Sequence, residues 1–258
     1  MQQRWLRSCR RALSALGTAA ALTLAAIAQA QQAQQIVELP PPGDERWKPV
    51  EFPSIEKHTR YEAVEADGAP AWRAQGQCSA SGRAVALDDI DLTQTPILRW
   101  RWKVDPGLPR LDERTKAGDD FAARVYVLFR FDPKQASWRE RLMARAARAL
   151  YDTDLPGGAL NYVWSSAQAR GSDWQSVYQS TSHLVALRAP DDRGWFEERV
   201  DLAADRQRFI PEVKTAIAGL AIMTDSDQSC AEATAWYSSI RFEARDAADA
   251  AAASPPAP

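Results

Sequence analysis

The chain predicts an all-β fold: an antiparallel, jelly-roll-like β-sandwich carrying one or two short helices. Three observations lead there. Short stretches alternate apolar and polar residues at period two, Gly, Pro and Asp turn pairs separate them, and stretches with helical period are few.

The elements follow in chain order. Residues 1–30 read as an export signal, with Arg4, Arg7, Arg10 and Arg11 ahead of an uncharged Ala/Leu run and small residues before a cut near Ala30. Cys9 precedes that run, which argues against a lipoprotein, and the expected location is the periplasm. Residues 31–46, Gln-rich and then Pro-rich, read as a flexible linker, 47–245 as the sandwich, and 246–258 as an Ala/Pro tail. Strands are expected at Arg60–Ala66, Ala71–Ser79, Ile97–Asp105, Phe121–Asp132, Ala159–Ser166, Ser176–Arg188, Trp195–Val200, Ile217–Thr224 and Ala233–Ala244. Turn chemistry at Asp67-Gly68, Pro106-Gly107, Pro156-Gly157-Gly158 and Asp192-Arg193-Gly194 separates them. A basic amphipathic helix is expected over 137–150, and a second helix runs from Asp201, its cap, to Phe209.

Gly118 to Asp132 is the most telling segment. At period two, Phe121, Ala123, Val125, Val127, Phe129 and Phe131 line a core face, while Asp120, Arg124, Tyr126 and Arg130 line the other. Arg99 and Arg101 extend a polar row on Ile97–Asp105, Asp225 and Asp227 close Ile217–Thr224, and Asn161 and Tyr237 join if their strands are neighbours. Three guanidinium groups beside one carboxylate suit a ligand with acceptor groups, such as an acidic glycan. Cross-strand Arg–Asp pairs that merely neutralise a sheet face are the plainer reading of the same residues. On a solvated face, Arg124→Gln costs about 1 kcal/mol or less.

Charge and composition exclude other classes. Four of the 32 Lys+Arg and none of the 34 Asp+Glu lie in the export signal, leaving 28 against 34 and a net charge of −6, which argues against nucleic acid. No P-loop, G-x-G-x-x-G or G-x-S-x-G elbow is present. His58 and His183 stand far apart without HExxH or clustered Cys, which argues against zinc and for a structural role of each. Asp225-Ser226-Asp227 resembles the start of a calcium loop, but Cys230 and Trp236 stand where such a loop needs Gly and Glu; no cofactor is expected unless calcium binds there. Cys78 and Cys230, the pair left after processing, are expected to form a disulfide, contributing about 4–5 kcal/mol in the chain-entropy account. Trp100, Trp102, Trp164 and Trp236 fall in apolar rows and read as core; Trp174 and Trp195 lie near turns.

Five blocks, GDDFAARVYVLF, LNYVW (160–164), GWFEERV (194–200), IAGLAIMTDSDQ (217–228) and AWYSSIRF (235–242), resemble an uncharacterised family of exported bacterial proteins, a domain of unknown function. The resemblance implies a periplasmic β-rich domain and no established activity. The last block is also similar to the closing strand of jelly-roll carbohydrate-binding modules, with Ser238 and Ser239 in place of an acidic residue. The expected function is therefore ligand binding, to an acidic glycan or another polar envelope component, through Arg99, Arg101, Asp120, Arg124, Tyr126, Asn161, Asp225 and Asp227. Two alternatives stay open: an envelope glycan hydrolase using Asp120 with Asp225 or Glu113, and a structural protein docking on a membrane surface or partner through the basic helix.

Overall fold

The computed structural model describes residues 36–88, 90–134 and 157–246. Two sheets pack face to face. The first runs in the order Phe196–Asp201 (β11), Ile97–Val104 (β6), Glu232–Glu243 (β13), Ala69–Gln77 (β4) and Arg60–Ala66 (β3), and Ile36–Glu38 (β1) also pairs with β13. The second runs Lys48–Val50 (β2), Ala80–Ala86 (β5), Ile217–Asp225 (β12), Ala123–Phe129 (β7), Gly158–Trp164 (β8), Ser182–Arg188 (β10) and Asp173–Gln175 (β9). The mostly antiparallel sandwich is the architecture the period-two stretches predict, with one exception. β10 pairs parallel to β8, because the chain between them first forms β9 and returns to pair antiparallel on β10's far side.

The core lies between the sheets. Leu98, Trp100, Trp102 and Val104 of β6 face Val125, Val127 and Phe129 of β7 and Leu160, Tyr162 and Trp164 of β8, all buried. The indoles of Trp100 and Trp102 meet edge to face at 5.4 Å, and Trp102 meets Trp164 at 5.7 Å. Asp201 caps the single described α-helix, Leu202–Phe209 (α1), its Oδ1 accepting from the Ala204 N–H at 3.0 Å. The expected helix over 137–150 and the expected export signal lie outside the described residues.

Several elements differ from the sequence reading. β1 lies inside the stretch expected as a flexible linker, and its pairing from Ile36↔Glu243 to Glu38↔Arg241 starts the folded unit before Trp47. Leu39 is buried and the Trp47 indole donates to the Pro40 carbonyl at 2.9 Å, so this Pro-rich segment is held by packing rather than by β propensity. β2, β5 and β9 also went unread: two are three residues long, and β5 is Ala-, Ser- and Gly-rich with no apolar alternation. Residues 176–181 turn rather than extend, so β10 starts at Ser182. Trp236 points away from the core, half-buried, with the Lys103 ammonium 4.9 Å from its ring.

One side chain ties the two sheets together under the candidate site. Tyr237 of β13 crosses the core: its hydroxyl donates to the Met223 carbonyl at 2.6 Å, accepts the Arg124 N–H at 3.3 Å and meets the Thr224 hydroxyl at 2.9 Å. Burial holds its phenol pKa above the ordinary range. Tyr237→Phe is expected to cost about 1–3 kcal/mol, since it strips partners from buried polar groups without opening a cavity. Urea unfolding checks this, and a loss within error would show the hydroxyl to be idle.

Candidate functional site

Arg124 organises the outer face of the seven-stranded sheet. Val125 and Val127 turn inward, so Arg124 and Tyr126 turn outward. Arg124 is nonetheless only 4 % exposed. Its Nε donates to Asp225 at 2.9 Å and Nη2 to the other oxygen of that carboxylate at 2.5 Å, a bidentate pair. Nη1 donates to the Tyr126 hydroxyl at 2.9 Å and to Asp119 at 3.3 Å, and Nη2 also reaches the carbonyl and carboxylate of Asp119.

These contacts pull the chain before β7 back over the outer face and break the period-two pattern. Ala122 and Ala123 both face the core, while Phe121 crosses to the outer side, under the guanidinium at 4.2 Å. There it joins Val163, Leu184, Ala186 and Trp174, stacked on the Trp174 ring at 6.3 Å. The core row expected from Phe121 to Phe131 therefore holds only from Ala123 to Phe129. The turn that delivers Asp119 depends on Gly118, where a Cβ would collide with the Asp112 backbone.

Asp120 is fully buried and accepts the N–H groups of Gln228 at 3.3 Å and Ser229 at 2.6 Å, fixing the β12–β13 turn. Asp225, 3 % exposed, also accepts the Phe121 N–H at 3.2 Å. Burial pushes its carboxyl up to about 7; Arg124 pulls it down, while Asp120 and Asp119 add to the rise. Burial likewise raises Asp119, Asp227 and Tyr126, the last to about 12. Asp120, Asp225 and Asp227 bring one oxygen each within 4.8 Å of one another, the geometric candidate for a cation. Any cation there competes with the Arg124 guanidinium and three peptide N–H groups for the same oxygens.

Asn161 stands opposite Tyr126 on β8, 3 % exposed. Its Nδ2 donates to the Ser182 hydroxyl at 3.0 Å and its Oδ1 has no partner among the described residues. Asp120, Arg124, Tyr126, Asn161, Asp225 and Asp227 thus share one face, as the sequence suggested. Arg99 and Arg101 do not. They lie on β6, on the outer face of the opposite sheet, because Trp100 and Trp102 on either side of Arg101 are core. There Arg99 pairs with Glu243 and Glu197, Arg241 joins the same two carboxylates, and Arg101 pairs with Asp67 under Trp195. For these two residues the neutralised sheet face is what the structure forms.

The sequence matches the family described as "Protein of unknown function (DUF3047)" over residues 45–241. The chain belongs to that family. No curated protein matches it. Among solved structures, this DUF3047 member is similar to the family 11 carbohydrate-binding module of the Clostridium thermocellum cellulosomal cellulase Lic26A-Cel5E, at 8 % identity, 82 % of this chain, 97 % of that one and a TM-score of 0.43. It is also similar to a native family 12 xyloglucanase from Bacillus licheniformis, at 6 % identity, 82 % of this chain, all of that one and a TM-score of 0.41. Likeness at this level carries no argument about the site.

Sequence reasoning missed Tyr178 and Glu198, and it named Glu113 only as a candidate hydrolase carboxylate. Tyr178, 59 % exposed, sets its hydroxyl 3.5 Å from the Lys116 carbonyl, and the Lys116 ammonium stands 5.4 Å from its ring. Partial burial, then the charges of Asp119, Asp227 and Asp225, raise its phenol pKa, so the ring stands in the field of the acidic cluster. Nothing in its turn segment distinguishes it in sequence. Glu113 is fully buried, its carboxylate taken by both hydroxyls of Ser165 and Ser166 and the Ser166 N–H; burial pushes its carboxyl up against those bonds. It clamps one wall of a cavity of about 350 Å³ lined by Val104, Leu108, Trp164, Ser165, Ser166 and Arg193. Glu198 is buried between Arg188 and the Trp102 indole, its Oε1 accepting from the latter at 2.7 Å.

Proposed function

We propose that this protein is a periplasmic glycan-binding module that uses the outer face of its seven-stranded sheet. One observation carries the reading. Beside the exposed Tyr178 ring and half-buried Tyr126, the face holds two buried atoms of opposite sense that lack a partner among the described residues, the Asn161 Oδ1 acceptor and the Trp174 Nε1 donor. A sugar hydroxyl both donates and accepts, and the C–H face of a pyranose stacks on an exposed aromatic ring, so a polyhydroxylated ligand answers both. The export-type start of the chain and the Cys78–Cys230 disulfide support the periplasmic placement.

The hydrolase reading is not the one we adopt. Asp120 is spent on peptide N–H groups and Asp225 on Arg124, and both are buried, whereas a glycosidase needs two carboxylates open to the scissile bond. The docking reading rests on the 137–150 helix, outside the described residues. A glycan array followed by calorimetry on the best ligand is the test. Tyr178→Ala, a change at an exposed ring, is expected to weaken binding about tenfold or more while circular dichroism stays native. Absence of any glycan ligand, or equal affinity in the variant, would sink the proposal.

A further inference from the structure

The hydrogen-bond inventory of this face reverses the charge of ligand that the sequence implied. Each guanidinium nitrogen of Arg124 already donates, Nε to Asp225, Nη1 to Tyr126 and Asp119, Nη2 to Asp119 and Asp225, and together these contacts use the group's five N–H bonds. No guanidinium hydrogen is left for a ligand carboxylate. Arg99 and Arg101, which were to supply the rest of the positive charge, lie on the opposite sheet in ion pairs of their own.

Acceptors, by contrast, are in surplus. Asp119, Asp120, Asp225 and Asp227 gather around one guanidinium, three of them with oxygens within 4.8 Å of one another. Asp227 is the half-buried member that a ligand reaches, and its side chain contacts the Gln228 amide. An independent observation points the same way. Asn161 Nδ2 donates to Ser182 on β10, and its buried Oδ1, on the same face and opposite Tyr126 of β7, has no partner among the described residues. That buried acceptor lacks a donor.

We infer that this face selects glycans bearing a free, protonated amine, an amino sugar whose nitrogen is not acylated, over N-acylated or acidic counterparts. The ammonium is held by Asp227 with the buried carboxylates behind it, and the ring of the same sugar stacks on Tyr178. The inference rests on the glycan-binding reading above and assigns its ligand class.

Calorimetry with glucosamine oligomers, the same oligomers fully N-acetylated and an oligogalacturonide of equal length tests it. Wild type is expected to bind the free-amine oligomer at least about tenfold more tightly than either other ligand, and Asp227→Asn to shrink that preference to about threefold or less. Equal or tighter binding of the acetylated or acidic oligomer, or a preference that survives Asp227→Asn, overturns the inference. Full competition by spermidine at matched charge also overturns it, by showing that the sugar contributes nothing. A protein that binds none of the three but binds another glycan refutes the amine assignment alone. Binding to no glycan at all removes the underlying reading with it.

Discussion

Arg124→Gln is expected to destabilise the protein by about 3–5 kcal/mol, well beyond the 1 kcal/mol or so of a solvated site. The difference comes from burial. Arg124 is 4 % exposed, and its removal leaves Asp225 and Asp119 buried without a counter-charge, so that each must either ionise unpaired or take up a proton. Arg99→Gln is the internal control: Arg99 is partly exposed in a ladder with spare partners on the opposite sheet, and its loss should cost about 1 kcal/mol or less. The Arg124 cost also has a pH signature. The folded-state pKa of Asp225 lies above its ordinary value of 3.8, at about 7 with Arg124 present, and removing that cation raises it further. A carboxyl with a raised folded pKa adds no penalty below the unfolded value and an increasing one as pH rises toward the folded value. The variant should therefore lose less at pH 5 than at pH 8. Urea unfolding at both pH values is the measurement; a loss independent of pH, or equal losses at Arg99 and Arg124, would mean that the buried carboxylates are not what Arg124 compensates.

The sandwich was legible because its central strands bury one face and expose the other, so β6, β7, β12 and β13 carry their own register in sequence. β1 and β9 were not, since three-residue edge strands are held by partners that a single sequence cannot reveal. The site was half legible. Alternation placed Arg124, Tyr126 and Asn161 outward, but it cannot say which of two sheets a strand joins, and Arg99 and Arg124 were grouped although the core separates them. Nor does alternation survive a local contact that outweighs it: the pull of Arg124 on Asp119 is what moved Phe121 to the outer face. Tyr178 lay beyond reach for a different reason, because exposure in a turn leaves no periodic trace.

Replacing both Cys78 and Cys230 by Ala is expected to cost about 4–5 kcal/mol, because their bond spans 152 residues and long loops lose most entropy on closure. The structure adds a local consequence. The bond joins the β4–β5 turn to the β12–β13 turn, and both cysteines hold left-handed backbone, φ 50° and 57°, a conformation that neither Cys nor Ala adopts cheaply. Freed of the cross-link, the β12–β13 turn keeps that strain and loses its tether. The N–H groups of Gln228 and Ser229, which Asp120 holds, lie immediately before Cys230 and should exchange with solvent faster than those of β7, so the site loosens before the sandwich does. Thiol titration of the denatured, non-reduced protein should find neither cysteine free, urea unfolding reads the global loss, and hydrogen exchange reads the local one. A global loss under about 1 kcal/mol would refute the entropic account, and unchanged exchange at Gln228 and Ser229 would show that Asp120 alone holds the turn.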